Sequence, residues 1–164
     1  MKTIWLLFAA AIVFCACNEP KHPHISARAM EHRMDSLRAD LLSTDLAFSN
    51  LSEESGRNDA FMHYADSAVV VLRAWSKPVA GMNNLEKLFS NHADTGVTLT
   101  WVPITADVSR SGDLGYTYGT YSLDHKNGVV HSGTYCTIWK KNRNKEWKFL
   151  LGTGNDGLRQ EDME

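Results

Sequence analysis

The run His63-Tyr64-Ala65-Asp66 sets a carboxylate beside an imidazole and a phenol. A partly buried aspartate can take up and return a proton near neutral pH, and a neighbouring phenol or imidazole can donate a hydrogen bond to a developing oxyanion. In that arrangement Asp66 is the candidate general base, Tyr64 or His63 is the donor, and no metal or organic cofactor is required. The competing reading makes Asp66 a turn residue ahead of a strand and His63 a solvated helix end, since aspartate is common at turns. Asp45 is a second carboxylate of interest: it either reaches a pocket or stands exposed on a helix flank. Trp75, Trp101, Tyr116, Tyr118, Tyr135 and Trp139 are candidates to line a cleft for a flat, largely apolar ligand. The competing role for Trp101 and Trp139, with Trp147, is core packing. Other reactive side chains do not assemble. Cys136 reads as a small buried hydrophobe without a paired base. His92, His125 and His131 lack metal-ligand spacing.

These residues need a scaffold, and the apolar pattern supplies one. From Met30, the positions Met30, Met34, Leu37, Leu41, Thr44, Phe48 and Leu51 recur at alternating spacings of four and three, drawing one stripe along a helix that ends near Gly56. Asp40 and Asp45 flank that stripe. Asn58 or Asp59 can cap a second helix through Tyr64, and Asn83 or Asn84 a third from Leu85 to Asn91. Between these two, Ala68 to Leu72 reads as a strand with Trp75 to Val79 as its hairpin partner. After Gly96 the pattern turns to strands: Val97 to Val108, Leu114 to Asp124, Val129 to Lys140, and Glu146 to Gly152 or beyond. The connectors are short and turn-like, which implies antiparallel neighbours. Helices followed by an antiparallel meander give an α+β domain with helices on one face of the sheet. Alternation puts Tyr116, Tyr118 and Thr120 on one face of their strand and Gly115, Thr117, Gly119 and Tyr121 on the other, without deciding which face is inside.

The 164 residues are 43% hydrophobic and carry a net charge of -2, which fits one ordinary globular domain and argues against nucleic acid as a partner. Lys2, the apolar run Ile4 to Phe14 and the following Cys-Ala-Cys-Asn form a basic, an apolar and a processing region in succession. The apolar run is too short to span a bilayer as a helix. Its end resembles a bacterial lipobox at Ala16-Cys17, which implies cleavage after Ala16 and lipid on Cys17; a plain signal peptide cut elsewhere is the alternative. The resulting expectation is a signal peptide over 1–16, a lipidated tether over 17–27 and a folded domain over 28–164, held at the membrane of the bacterial cell envelope, facing the periplasm or in the outer membrane.

Several phrases carry a wider resemblance: Asp45-Leu-Ala-Phe48, Gly56-Arg-Asn-Asp-Ala-Phe61, Tyr64-Ala-Asp-Ser-Ala-Val69, Leu99-Thr-Trp101-Val-Pro103, Gly112-Asp-Leu-Gly-Tyr-Thr-Tyr-Gly119, and Tyr135-Cys-Thr-Ile-Trp-Lys140 with Trp147-Lys148. Their order resembles the nuclear-transport-factor-2-like superfamily, which includes ketosteroid isomerases and SnoaL-like cyclases, and within it a bacterial family of unassigned function. The resemblance implies a cone-shaped fold, in which a strongly curved, mostly antiparallel sheet wraps a long N-terminal helix and leaves a pocket open at one end. It also implies dimerisation through the outer sheet face. Function varies widely on this scaffold. The expected roles are binding of a small, largely apolar ligand or, alternatively, cofactor-independent isomerase, dehydratase or cyclase chemistry at Asp66. Where the nearest family often carries an aspartate after the aliphatic end of its last strand, this chain reads Leu150-Leu-Gly152-Thr-Gly154.

Overall fold

A computed structural model describes residues 26–90, 96–125, 127–128 and 130–157. The expected signal peptide, the Cys17 lipidation site and all but the last two residues of the 17–27 tether lie outside them.

The apolar stripe forms helix α1 (Ala27–Ser55), which starts at Ser26, whose side chain accepts from the Ala29 amide at 3.2 Å, and stops at Gly56 with φ +95°. That backbone region favours glycine. Helix α2 (Arg57–Tyr64) begins immediately and has no side-chain cap. Asn58 and Asp59, expected as caps, lie inside it because Gly56 already turns the chain and its carbonyl receives the Ala60 amide. Strand β1 (Ala65–Leu72) follows, then β2 (Val79–Ala80). The hairpin partner is shorter than the expected Trp75–Val79, pairing only Val70 with Ala80 and Val71 with Val79. Trp75 (φ +59°) belongs to a turn closed by the Ser76 amide on the Arg73 carbonyl, and Pro78 has no amide to offer a ladder. Helix α3 (Met82–Ser90) starts three residues earlier than expected. Gly81 (φ +82°) makes the turn into it, so Asn83 and Asn84 sit in its first turn, with Asn84 Nδ2 on the Ala80 carbonyl.

The meander is β3 (Val97–Val108), β4 (Leu114–His125), β5 (Val130–Lys141) and β6 (Trp147–Asp156). The single sheet runs β2-β1-β6-β5-β4-β3 and is antiparallel except where β1 meets β6 in parallel. Strand β2, helix α3 and the meander carry the chain away from β1 and back, so β6 returns alongside β1 in the same direction.

Which face of β4 is inside follows from its glycines. A Cβ on Gly115 would come within 2.7 Å of Leu41 Cδ2, and one on Gly119 would overlap the Val102 carbonyl. The small residues let α1 and the neighbouring strand approach, so Tyr116 and Tyr118 are left on the outer face, half exposed. Cys136 pairs in register with Tyr118 and shares that outer face, half-buried rather than in the core. Met34, Leu41 and Phe48 from α1 bury against Trp101, Trp139, Trp147 and Phe149. Burial of each such side chain stabilises the fold by about 1.5–3 kcal/mol. Every one of these three indoles also finds an oxygen: Trp101 on Asp45 at 2.8 Å, Trp139 on Thr117 at 2.8 Å and Trp147 on Asp40 at 2.9 Å.

Candidate functional site

The wide end of the sheet opens into a cavity of about 950 Å³. Its helical wall is Phe48 from α1, Arg57 and Phe61 from α2, and Leu88 and Phe89 from α3. Its sheet wall is Leu99 and Trp101 from β3, Tyr121 and Leu123 from β4, Tyr135 and Thr137 from β5, and Phe149 with residues 152–156 of β6. Residues 71–75, at the end of β1 and in the turn beyond it, form the rim. Phe48 centres an aromatic cluster, with ring centroids 4.6 Å from Trp101, 4.9 Å from Phe61 and 5.6 Å from Phe149. Edge-on and offset contacts of this kind hold flat rings firmly in place.

Behind Trp101 and Tyr135 sits Asp45, fully buried and the only buried carboxylate among the described residues. Its Oδ1 accepts the Trp101 indole N–H, and its Oδ2 accepts the Tyr135 hydroxyl at 2.6 Å. Burial pushes the Asp45 carboxyl above its ordinary range, while hydrogen bonds from Tyr135, Trp101 and Thr117 pull the other way without overcoming it. Burial and the adjacent Asp45 charge push the Tyr135 phenol far up. Tyr135 therefore stays protonated, with its proton directed at Asp45 rather than at the cavity. Asp45 belongs to a polar seam on α1: Ser49 Oγ accepts the Trp101 amide at 2.8 Å, and Ser52 Oγ donates to the Leu99 carbonyl at 2.7 Å. Positions 45, 49 and 52 share one helix face and fasten α1 to β3.

Of the residues singled out from sequence, Trp101 and Tyr135 line the cavity, and Asp45 joins them from behind. Trp75 is at the rim with 104% relative exposure, clear of all packing. Trp139 is buried beneath the sheet face with its indole on Thr117, and it does not line the cavity. Tyr116 and Tyr118 point away from it, because alternation puts them opposite Gly115 and Gly119. Asp66, Tyr64 and His63 are also outside the wall. Asp66 Oδ1 accepts the Ala68 amide at 2.8 Å in a local turn-like contact. The Tyr64 ring packs 4.8 Å from Phe48, and burial raises its phenol. His63 is exposed on the surface and gives its carbonyl to Lys148 Nζ at 2.9 Å. The His63 and Tyr64 rings meet edge-on with centroids 4.9 Å apart, but none of the three residues lines the cavity.

Sequence reading passed over Arg57, Arg73, Phe61, Phe149 and Asp156 as wall residues. Alternation did place Tyr121 on the same face as Gly119, without deciding that this face is the inner one. Its hydroxyl donates to Asp156 across the intervening strand, and the Tyr121 ring lies over Gly133 and Gly154, leaving no room for a Cβ on Gly133. Gly152 is different: a Cβ there would meet nothing nearer than Phe149 at 3.9 Å, so its missing side chain is open cavity. Among the described residues no group of three or more histidines, cysteines or acids could hold a metal.

No protein-family model and no curated protein matches this sequence. Solved structures match in shape. A ketosteroid isomerase-like protein from Erwinia carotovora atroseptica superposes with TM-score 0.58 at 11% identity, covering 72% of this chain and 95% of that one. An NTF2-like protein with a cystatin-like fold from Novosphingobium aromaticivorans gives 0.60 at 13%, covering 80% and 90%. A Catenulispora acidiphila protein in complex with S-DNPA gives 0.59 at 11%, covering 74% and 94%. The chain has the nuclear-transport-factor-2-like fold, a scaffold shared by isomerase-like proteins and by a protein with a bound ligand.

Proposed function

We propose that this domain binds a small, largely apolar molecule inside the cone. The observation that carries the reading is the partition of polarity around the cavity. Phe48, Phe61, Phe89, Trp101 and Phe149 present apolar surface, whereas the buried carboxylate of Asp45 is turned away and engaged by Trp101 and Tyr135. Such a wall suits a ring or short chain and offers few fixed polar contacts. Binding fits this geometry better than cofactor-independent isomerase, dehydratase or cyclase chemistry, since Asp66, Tyr64 and His63 stay outside the cavity. The test is fluorescence titration with N-phenyl-1-naphthylamine, a neutral probe that brightens in apolar surroundings. One saturable site is expected, weakened at least about tenfold by Gly152→Leu, whose side chain grows into open space. Absence of saturable binding, or binding indifferent to Gly152→Leu, contradicts the reading.

The address and assembly belong to the same proposal. Cys17 carries the lipid that holds the domain at the cell envelope, supported by the basic, apolar and Ala16-Cys17 sequence pattern. Among the described residues no helix is long and apolar enough to cross a membrane. Mass spectrometry of the mature N-terminus checks this, and an unmodified Cys17 thiol refutes it. The outer sheet face joins a second copy, supported by the exposed apolar residues Val102, Ile104, Tyr116 and Tyr118 on the adjacent strands β3 and β4.

A further inference from the structure

The cavity wall is not electrically neutral. Among the described residues, the guanidinium and carboxylate groups that reach it are Arg57, Arg73 and Asp156. Asp156 is already engaged: its Oδ1 accepts the Tyr121 hydroxyl, and the Tyr121 ring is fixed over Gly133 and Gly154. The two arginines come from different elements, Arg57 from the start of α2 and Arg73 from the turn after β1. Among the described residues the Arg73 guanidinium makes no hydrogen bond or ion pair with the protein, and it is exposed beside Trp75 at the rim. A guanidinium presents five N–H donors in a planar fork that matches carboxylate and sulfonate oxygens, so an arginine with another contact still has donors to give. Deeper in the cavity the wall is aromatic, and the Tyr135 proton is spent on Asp45. Among the described residues, charged recognition is therefore confined to the two arginines, and the aromatic residues supply the apolar surface of the wall.

Building on the ligand-binding reading above, we infer that the cavity takes an amphipathic organic anion: a flat apolar body against Phe61, Trp101 and Phe149, and one carboxylate or sulfonate held by Arg73 with Arg57. Arg73 supplies the accessible fork and Trp75 stands beside it at the point of entry. Because Arg73 is exposed to solvent, its charged contribution weakens as salt is raised, while the apolar contribution does not.

A matched pair of probes separates the two contributions. N-phenyl-1-naphthylamine and 8-anilinonaphthalene-1-sulfonate share their fused rings and anilino group and differ in the sulfonate. The wild-type protein is expected to bind the sulfonate about tenfold more tightly at low salt, with the margin shrinking at high salt. Arg73→Gln and Arg57→Gln are each expected to cut sulfonate affinity several-fold and to change the neutral probe's affinity much less, and retained saturable binding of the neutral probe also shows that the variants are folded. Equal affinity of the wild type for both probes overturns the inference and leaves the ligand-binding reading standing, as does an equal loss for both probes in Arg73→Gln. Absence of saturable binding of either probe overturns both.

Discussion

Replacing Asp45 tests how the floor of the cavity is built. Its carboxylate receives the Trp101 indole N–H at 2.8 Å and the Tyr135 hydroxyl at 2.6 Å. Asp45→Ala deprives both donors of their acceptor. Tyr135 lines the cavity and its hydroxyl can turn toward water there, but the Trp101 N–H is sealed beneath α1. An unsatisfied buried donor costs about 1–3 kcal/mol, and the space left by the carboxylate adds to this, giving about 2–5 kcal/mol in all. For a domain of this size that lowers the melting temperature by about 10 °C. Asp45→Asn behaves differently. Its Oδ1 keeps the Trp101 bond, its Nδ2 donates to the Tyr135 oxygen once that hydroxyl rotates, and no charge is buried, so the loss at pH 7 is within about 1 kcal/mol. The two variants also separate in pH. The folded-state pKa of Asp45 is raised, so between the unfolded value of about 3.9 and the folded value the native state holds more protons than the unfolded one. The Asp45 contribution to stability is therefore full below about pH 3.9 and is lost as pH rises through the folded pKa. The wild type should lose ground relative to Asp45→Asn across that window, read by urea unfolding at a series of pH values. An Asp45→Ala protein as stable as wild type, or an Asp45→Asn protein as damaged as Asp45→Ala, refutes the account of this carboxylate.

Thr117→Val preserves shape but removes the acceptor of the buried Trp139 indole, so it should cost about 1–3 kcal/mol in urea unfolding and leave probe binding intact. Gly119→Ala places a Cβ on the Val102 carbonyl and should destabilise strongly or prevent folding, whereas Gly152→Ala, with only Phe149 near its Cβ, should melt close to wild type. The expected dimer can be checked by sedimentation at several concentrations: Val102→Asp with Tyr118→Asp should yield a monomer that still binds N-phenyl-1-naphthylamine, because both positions lie on the face opposite the cavity. A variant that remains dimeric shows that the outer face is not the contact.

Much of the fold was legible because its signals are local. The three-four spacing from Met30 to Leu51 could only be a helix stripe, and the turn-rich connectors fixed the meander from β3 to β6. The parallel contact of β1 with β6 was not legible, since no local pattern says which strands meet after four intervening strands. Helix starts slipped where a glycine of positive φ, Gly56 or Gly81, replaced the asparagine or aspartate cap that sequence favours. At the site, residue type alone misled. Asp66 beside Tyr64 and His63 looks chemical in one dimension, but none of the three is part of the cavity wall, and Tyr64 packs against Phe48 instead. Asp45, placed only beside the stripe, proved central because Trp101 and Tyr135 converge on it from strands far along the chain. One available signal was missed: Asp45, Ser49 and Ser52 recur at helical spacing, a polar row on a helix that otherwise turns apolar residues inward.

The central claim is that the cone holds an apolar molecule, and the most direct measurement is a crystal structure of the protein grown with N-phenyl-1-naphthylamine. Probe density in the cavity against Phe61, Trp101 and Phe149, with Asp45 still holding Tyr135 behind them, is the predicted result. A cavity closed by the protein's own side chains, or probe found only on the outer face against Tyr116 and Tyr118, would contradict it.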